Sequence, residues 1–520
     1  MMPRLQTETG ELTFERMSGA VLAGWTTVDA AQWRAAAQAL AREGATLVSL
    51  WGSDRRDLGD GLAIMAAYSR GDQLLCVRHL LRASPFEFPS ISSEFPAASR
   101  MQRALYDLLG ARAPGDDDER PWLRQGAWPA DFFPLRRDAD GARSFAPEQE
   151  HYAFVPVAGE GVHEIPVGPV HAGIIEPGHF RFSVVGEKVL RLEERLGFVH
   201  KGVDKRFEGM PLDDAVRLAG RVSGDSTVAY AWAYSMAVES AAGVTIPERA
   251  TWLRALLLER ERVGNHLGDL GALGNDAALA AGLAQFSRLR EKWLRANDSA
   301  FGHRLMMDCV VPGGTQVDPD AGRLDDLRRQ CGEIAREVAT LRAIYDEHAG
   351  LQDRFLNTGV VTPERAAQLG LRGLAGRASG QARDVRVEAR PAPYDALDVK
   401  AAADRRGDVA ARAAVRFDEI FESLRLIEAI VQRLPAGDVR CAIPPVASDG
   451  VLGVGWVEGW RGDVLATVEV GTNGRLRRCH CHDPSWQNWP VLEHAVIGNI
   501  VPDFPLINKS FNLSYSGVDR

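Results

Sequence analysis

The residues best placed to do chemistry stand in the stretch 217–239, RLAGRVSGDSTVAYAWAYSMAVE. Asp225 lies between two serines three apart, Ser223 and Ser226, where an apolar, alanine-rich run begins; that run ends at Glu239. At a helix start, hydroxyl and carboxylate oxygens accept orphan backbone amides, and the helix dipole favours an anion there. The stretch is therefore either a helix cap or a site built on one. His171 follows a Gly-Pro turn that fixes its imidazole, which then either faces a cavity or is satisfied locally. His266 and Asp269, three apart in a helical pattern, are placed as a proton relay or as a surface pair. In Cys479-His480-Cys481-His482 four ligand types stand in a row. A strand sends the two thiols one way and the two imidazoles the other, whereas tetrahedral zinc needs converging ligands, so the run does not read as a metal site.

Several elements must position these groups. Apolar or small residues fill nearly every place from Val228 to Val238, so this helix has no solvated face and belongs at the centre of a bundle. Further helices are expected at 247–273, opened by a first-turn proline, and at 282–297, 321–348 and 408–434. Ahead of them, FRFSVV (180–185) and KVLRLEERLG (188–197) read as a hairpin turning at Gly186-Glu187. The chain ends in strands over 456–470 and 474–485 and a helix near 489–500. Toward the N-terminus, a helix at 30–42 precedes strand-like runs at 45–51, 62–69 and 73–81, then a helix near 100–109. That order predicts an antiparallel meander with helices on one face. The fold class is thus α+β, with an N-terminal α/β meander domain (1–145), a linker (146–163) and a large, mainly helical-bundle domain with flanking β hairpins (164–520). WPADFFPLRRD (128–138) reads either as an arm lying on a neighbouring surface or as an aromatic cluster closing the first domain. GLRGLAGRASGQARDVR (370–386) carries too many arginines and glycines for a plain connection. Its buried arginines need carboxylate partners and should tie several elements together.

Composition narrows the class. A formal charge of -9 gives no reason to expect nucleic acid as a partner. The six cysteines include no Cys-x-x-Cys pair and read as reduced thiols rather than a disulfide framework. No run of eighteen apolar residues occurs, and the N-terminus has no apolar signal segment. The expected place is the cytoplasmic face of the cell membrane, with membrane contact only through partners.

Six motifs, in order, carry a resemblance: GPVHAGIIEPGHFRF, RLGFVHKGVDK, RVSGDS, GRASGQARDVR, VEGWRGD and DPSWQN. Together they resemble the large subunit of membrane-bound group 4 nickel–iron hydrogenases and its relative, the quinone-pocket subunit of respiratory complex I. The N-terminal part resembles the small α/β subunit of complex I that is fused ahead of the large subunit in formate hydrogenlyase.

The resemblance also locates departures. Hydrogenases of this kind hold their metal pair with Arg-Val-Cys-Gly-x-Cys and Asp-Pro-Cys-x-x-Cys, and the four matching positions here are Ser223, Ser226, Ser485 and Asn488. Nickel in such a site needs thiolates, for which hydroxyls and an amide are poor substitutes. The histidine following the first motif falls at Tyr230. The ending Gly-Val-Asp-Arg resembles the untrimmed terminus of the complex I subunit. Of the quinone-holding pair implied by that relative, His171 matches the histidine, while Gly224 takes the tyrosine's place; the hairpin's second histidine falls at Ile175, or at His179 with a two-residue insertion.

The resemblance implies a large subunit of a complex-I-like or hydrogenase-4-like membrane oxidoreductase without a nickel–iron site. Asp204 takes the place of a proton-carrying glutamate, and His171, Asp225, Glu239 and Arg461 are the further proton-relay candidates. No cofactor is expected on this chain: an iron–sulfur cluster belongs to a partner small subunit, membrane-arm subunits are the other partners, and quinone is a possible substrate. The alternative is a redox-inactive subunit that clamps small subunit and membrane arm together in a complex-I-derived ion-translocating or transport assembly.

Overall fold

The computed structural model describes residues 4–148, 151–171 and 175–520, so the middle of the GPVHAGIIEPGHFRF motif lies outside the described residues. Its fold is α+β, as the sequence pattern implies. The N-terminal sheet contains β1 (Leu22–Val28), β2 (Thr46–Arg55), β3 (Gly61–Arg70) and β4 (Gln73–Leu81), with the short strand Glu15–Arg16 at one edge. The consecutive strands β2, β3 and β4 form the expected meander. The strand β1 departs from it: the sequence pattern did not reveal this strand, which pairs in parallel with β4 and places the sheet in the order β1-β4-β3-β2. A crossover through α1 (Ala30–Arg42) makes that parallel pairing possible. Asp29 caps α1 in a reciprocal box with Gln32. The second helix, α2 (Ala98–Leu109), packs on β2.

Strands β2 and β3 are buried along both faces. On one side of the sheet α2 packs on β2 and α1 on β4 and β1, and the other side of β2 meets the C-terminal part of the chain. There Ser49 bonds His480 at 2.8 Å, Trp51 stacks on the His480 ring at 5.1 Å, and Gln487 and Arg372 donate to the Leu47 carbonyl. The two parts of the molecule therefore share hydrophobic clusters to which both contribute.

Between them, residues 151–161 form neither helix nor strand, but Arg103 and Arg120 hold this segment through Tyr152 and the Ala153 carbonyl. The strand β5 (Val162–Val167) then joins the hairpin β6 (His179–Val185) and β7 (Lys188–Arg195), with its turn at the expected place. In the WPADFFPLRRD stretch Trp128 packs against His200, and Leu135 is in the core; it closes this chain's own surface.

The helical part is centred on α3 (Thr227–Ala242), every residue of which is buried from Thr227 to Ser240. Gly243, in the left-handed conformation at φ 64°, ends it. Around it run α4 (Glu248–Asp276), α5 (Ala280–Phe301), α6 (Ala321–Glu347) and α7 (Val409–Arg433), close to the spans the sequence implied. Helix α3 lies directly on β8 (Val451–Glu458), the first strand of a three-stranded sheet with β9 (Asp463–Val470) and β10 (Leu476–His482). This approach explains two glycines. A Cβ at Gly453 or Gly455 would overlap the carbonyl oxygens of Ala237 or Ala233. The chain then forms α8 (Ser485–Ala495), four residues earlier than its pattern suggested, and α9 (Phe504–Phe511).

The arginine-rich stretch 370–386 ties elements together. Arg377 binds Glu419 of α7 and Glu458 of β8, each at 2.7 Å, and Arg386 binds Glu259 of α4 at 3.1 Å. Arg372 binds Asp463 of β9 at 2.6 Å. Partners of this kind offset the desolvation of each buried guanidinium. His266 and Asp269 belong to the same interior rather than to a surface pair: His266 bonds Glu419 at 2.7 Å and Asp269 pairs with Arg416 at 2.9 Å.

Candidate functional site at the start of the central helix

A cap formed by Ser223, Asp225 and Ser226 would turn their oxygens toward the first amides of α3. The structure turns them elsewhere. Ser223 and Ser226 donate to the same Asp225 oxygen at 2.8 and 3.2 Å, and Arg461, from the loop between β8 and β9, binds the Asp225 carboxylate at 2.6 and 3.3 Å. Arg461 also donates to Ser226 and lies over the Trp460 ring at 4.0 Å. The Asp225 carbonyl is fixed by Trp460 at 2.9 Å and Asn265 at 2.7 Å. Burial pushes the Asp225 carboxyl up, but Arg461 and the two serine hydroxyls outweigh it and hold the group below the usual carboxylate range.

The amides of α3 are capped instead by a residue from another helix. Glu261 of α4 accepts from the Val228 amide at 2.6 Å and the Ala229 amide at 3.2 Å. Its side chain lies on the inner face of the bundle, and burial, reinforced by the nearby Asp225 charge, pushes its carboxyl to about 8. The sequence offered one signal for it. Four consecutive charged residues, Glu259 to Arg262, encircle a helix already needed in a core, so some of them had to be buried.

The second motif arrives from the start of α8. Asp483 accepts from the Tyr230 hydroxyl at 2.7 Å and from the Ser485 amide at 2.8 Å. Burial, then the Asp483 charge, push the Tyr230 phenol well above its usual value, so it remains a proton donor to that carboxylate. Between the two motifs stands Ser514, from the segment after α9, which meets the Ser223 hydroxyl at 3.0 Å and whose amide donates to the Ser485 hydroxyl at 2.9 Å. Asn488 is turned away: its side-chain oxygen accepts from the Arg372 amide at 2.9 Å, and its nitrogen faces the Arg372 carbonyl at 3.3 Å. Ser223, Ser226 and Ser485 are thus brought together, and Asn488 is engaged with a neighbouring backbone. Asp483 and Ser514 were missed, because nothing local marks a carboxylate or serine whose partners lie more than 200 residues away.

Of the five relay candidates, Asp225 and Arg461 meet. Glu239 does not join them. It sits toward the far end of α3, about 18 Å along the helix from Thr227 at the helical rise, and is held by Arg254 at 2.6 and 3.0 Å and by the Gly313 amide. His171 is also elsewhere, its Nε2 donating to the Gly178 carbonyl of its own loop at 2.7 Å. His179 likewise faces its own loop, at the Gly168 carbonyl, and the Ile175 side chain is exposed. Asp204 is buried against Arg478 at 2.8 Å, with Arg520 at 3.7 Å and His480 at 3.9 Å. Burial alone would raise its carboxyl, but Arg478 and Arg520 reverse this and hold it far below the usual range. Such a group stays ionised, which opposes a proton-carrying role. Cys479 and Cys481 share one face of β10 with their sulfurs 3.9 Å apart, while His480 and His482 point to the other, toward Ser49 and Gln487.

The arrangement is a string of charges, partly exposed at Asp225 and buried from Arg461 past Asp483 and Tyr230 to Arg520 and Asp204. It can hold charge and protons in place. It offers oxygen and nitrogen donors, and no thiolate, where the two motifs meet.

Residues 26–144 match the family model of the respiratory-chain NADH dehydrogenase 30 Kd subunit, and residues 276–450 match that of the 49 Kd subunit. The site's two motifs flank the second match rather than lie in it. The chain is 32% identical over 493 residues to formate hydrogenlyase subunit 5 of Escherichia coli, covering 92% of this chain and 85% of that one. It is 28% identical over 422 residues to an NADH-quinone oxidoreductase subunit of Phocaeicola vulgatus, covering 77% and 80%. A solved structure of the membrane-bound sulfane sulfur reductase, an archaeal respiratory membrane complex, contains a chain that superposes with a TM-score of 0.65 at 26% identity, covering 70% of this chain and 100% of that one.

Proposed function

This chain belongs to the family that joins formate hydrogenlyase large subunits to the 49 and 30 Kd subunits of respiratory-chain NADH dehydrogenase, and from that premise we propose that it is the large peripheral subunit of a complex-I-like or hydrogenase-like membrane oxidoreductase that works without a nickel–iron pair. In this reading it covers an iron–sulfur small subunit on the cytoplasmic side, and electron transfer there is coupled to ion translocation or quinone reduction through membrane partners. Among the described residues no helix is long and apolar enough to cross a membrane, which fits a subunit held by partners.

The observation that carries the proposal is Ser514. A soft metal pair would need four thiolates converging between the two motifs. The residues present do not fit one: Ser223 and Ser485 are bonded to Ser514, Ser226 is bonded to Asp225 and Arg461, and Asn488 serves the Arg372 backbone. Each of these polar atoms already has a partner from this chain.

A second reading is favoured by the fixed state of Asp204 and Glu239, each locked to arginine. Such locks suit a subunit that clamps its partners together and takes no part in redox chemistry. The intact assembly, purified from membranes, separates the readings. Proton release or uptake that follows reduction of the small subunit's clusters, without exchange of deuterium gas with water, supports the first. Clusters that reduce with no proton movement leave the clamp. Deuterium exchange by the assembly would overturn both.

A further inference from the structure

We propose that Glu261 is a proton-binding site of this subunit, exchanging one proton with solvent through a small chamber behind Asp225. The chamber, about 20 Å³ in volume, is lined by Gly224, Asp225, Arg260, Glu261, Asn265 and Arg304 among others, and it has room for one water. Arg304 is exposed, so the chamber's wall reaches the surface. Its inner wall contains an unsatisfied donor: Arg260 is completely buried, and its Nη1 has no hydrogen-bond partner. A water in the chamber stands beside Glu261, which also lines it, and links that side chain to solvent.

The charges around Glu261 leave it a carboxyl without a counterion. Among the described residues no lysine or arginine lies within ion-pair distance of it, and its bonds go to the Val228 and Ala229 amides. On the α3 side Asp225 repels its charge, and Arg461 is committed to Asp225. On its own helix Arg262 attracts it weakly, since that guanidinium is bound to Glu259 and to the carbonyls of Glu458 and Gly459. Arg260 points to Asn297 and Gln330 and lies over the Trp293 ring. From α5, Arg290 donates to the Gly264 carbonyl, and beyond it Arg304 pairs with Glu291. Burial therefore dominates and brings the carboxyl into the range where it exchanges a proton near neutral pH.

Binding is a simple addition: the carboxylate takes a proton from solvent by way of the chamber water and becomes a neutral acid, and the same route returns it. The neutral acid is a weaker acceptor for the two amides, so proton binding loosens the first turn of α3. A negative charge arriving near Asp225 would draw the proton in. That last step rests on the electron-transfer reading above; the proton site itself does not.

Infrared difference spectra of the full chain between pH 6 and 9.5 test the site. The expected result is a protonated-carboxyl band that shifts in heavy water, disappears with a midpoint near 8 and is missing from Glu261→Gln. The same band with the same midpoint in Glu261→Gln, or no titrating band in the wild type, would overturn the proposal. If the variant fails to fold, hydrogen exchange of the Val228 and Ala229 amides in the wild type decides: protection changing with a midpoint near 8 supports the site, and exchange that follows only intrinsic base catalysis overturns it. In the intact assembly, equal proton uptake on reduction by wild type and variant, with the band present, would uphold the proton site and reject its coupling to electrons.

Discussion

Replacing Arg478 with methionine tests whether Asp204 is an anchored charge or a proton carrier. Asp204 is buried, Arg478 is bonded to it at 2.8 Å, and Arg520 is a second guanidinium close by, at 3.7 Å. Removing one partner of a buried ion pair costs about 3–5 kcal/mol, because it leaves a charge uncompensated in the interior. The remaining Arg520 places the expected loss near the lower end, about 3 kcal/mol, which is roughly a 150-fold change in the folded-to-unfolded ratio. The loss must depend on pH. In the wild type the Asp204 carboxyl is held down, so its contribution is present above the unfolded value near 3.8 and is lost as pH falls through the lower folded one. In Arg478→Met burial prevails and raises the folded value, so the variant is penalised as pH rises above about 4 and recovers below it. Urea unfolding of both proteins at pH 7.5 and 4.5 measures this: a deficit of about 3 kcal/mol at the higher pH should shrink at the lower. A deficit under about 1 kcal/mol, or one that is equal at both pH values, would refute the anchored-charge account.

Two further substitutions test the interior that supports the site. In Gly455→Ala the new Cβ meets the Ala233 carbonyl oxygen, so α3 must lift from β8; overpacking of this kind costs about 1–3 kcal/mol or more, read as a lower thermal midpoint, and an unchanged midpoint would mean that the helix is not seated as described. Arg377→Met strips Glu419 and Glu458 of a shared guanidinium and should cost about 3–5 kcal/mol at pH 8. That loss should be smaller at pH 6, because burial together with the Asp384 charge already places the Glu458 carboxyl at about 7, and a neutral acid needs no counterion. A pH-independent loss in urea midpoints would contradict this.

What the sequence made legible follows from what is local. The long helices were found because their apolar periodicity is sustained over several turns, and the hairpin because its turn residues are adjacent. The arginines of 370–386 were assigned to buried ion pairs from the cost of burying a guanidinium, and Arg377, Arg386 and Arg372 indeed find carboxylates. Strand β1 escaped because its partner β4 follows after two other strands. Asp225 and Arg461 were each picked out, but their meeting depends on the loop between β8 and β9. The reading of Ser-Gly-Asp-Ser as a cap failed for a related reason. A carboxylate from α4 outcompetes the local side chains for the α3 amides, and Arg461 draws Asp225 away. Asp204 was read as a relay member because the resemblance places it where a proton-carrying glutamate stands, and Glu239 as a further member of the same polar network. Their arginine partners, Arg254 and Arg478, come from other elements of the chain and settle them into ion pairs.

The central claim is that oxygen and nitrogen side chains, not thiolates, stand where the two motifs meet. Metal content of the assembly, purified from membranes with its natural partners and measured by plasma mass spectrometry, tests it most directly. The expected result is iron, from clusters in a partner, and no nickel above background. Nickel near one atom per copy of this chain would contradict the claim, since Ser223, Ser226, Ser485 and Asn488 would then not be the positions that matter.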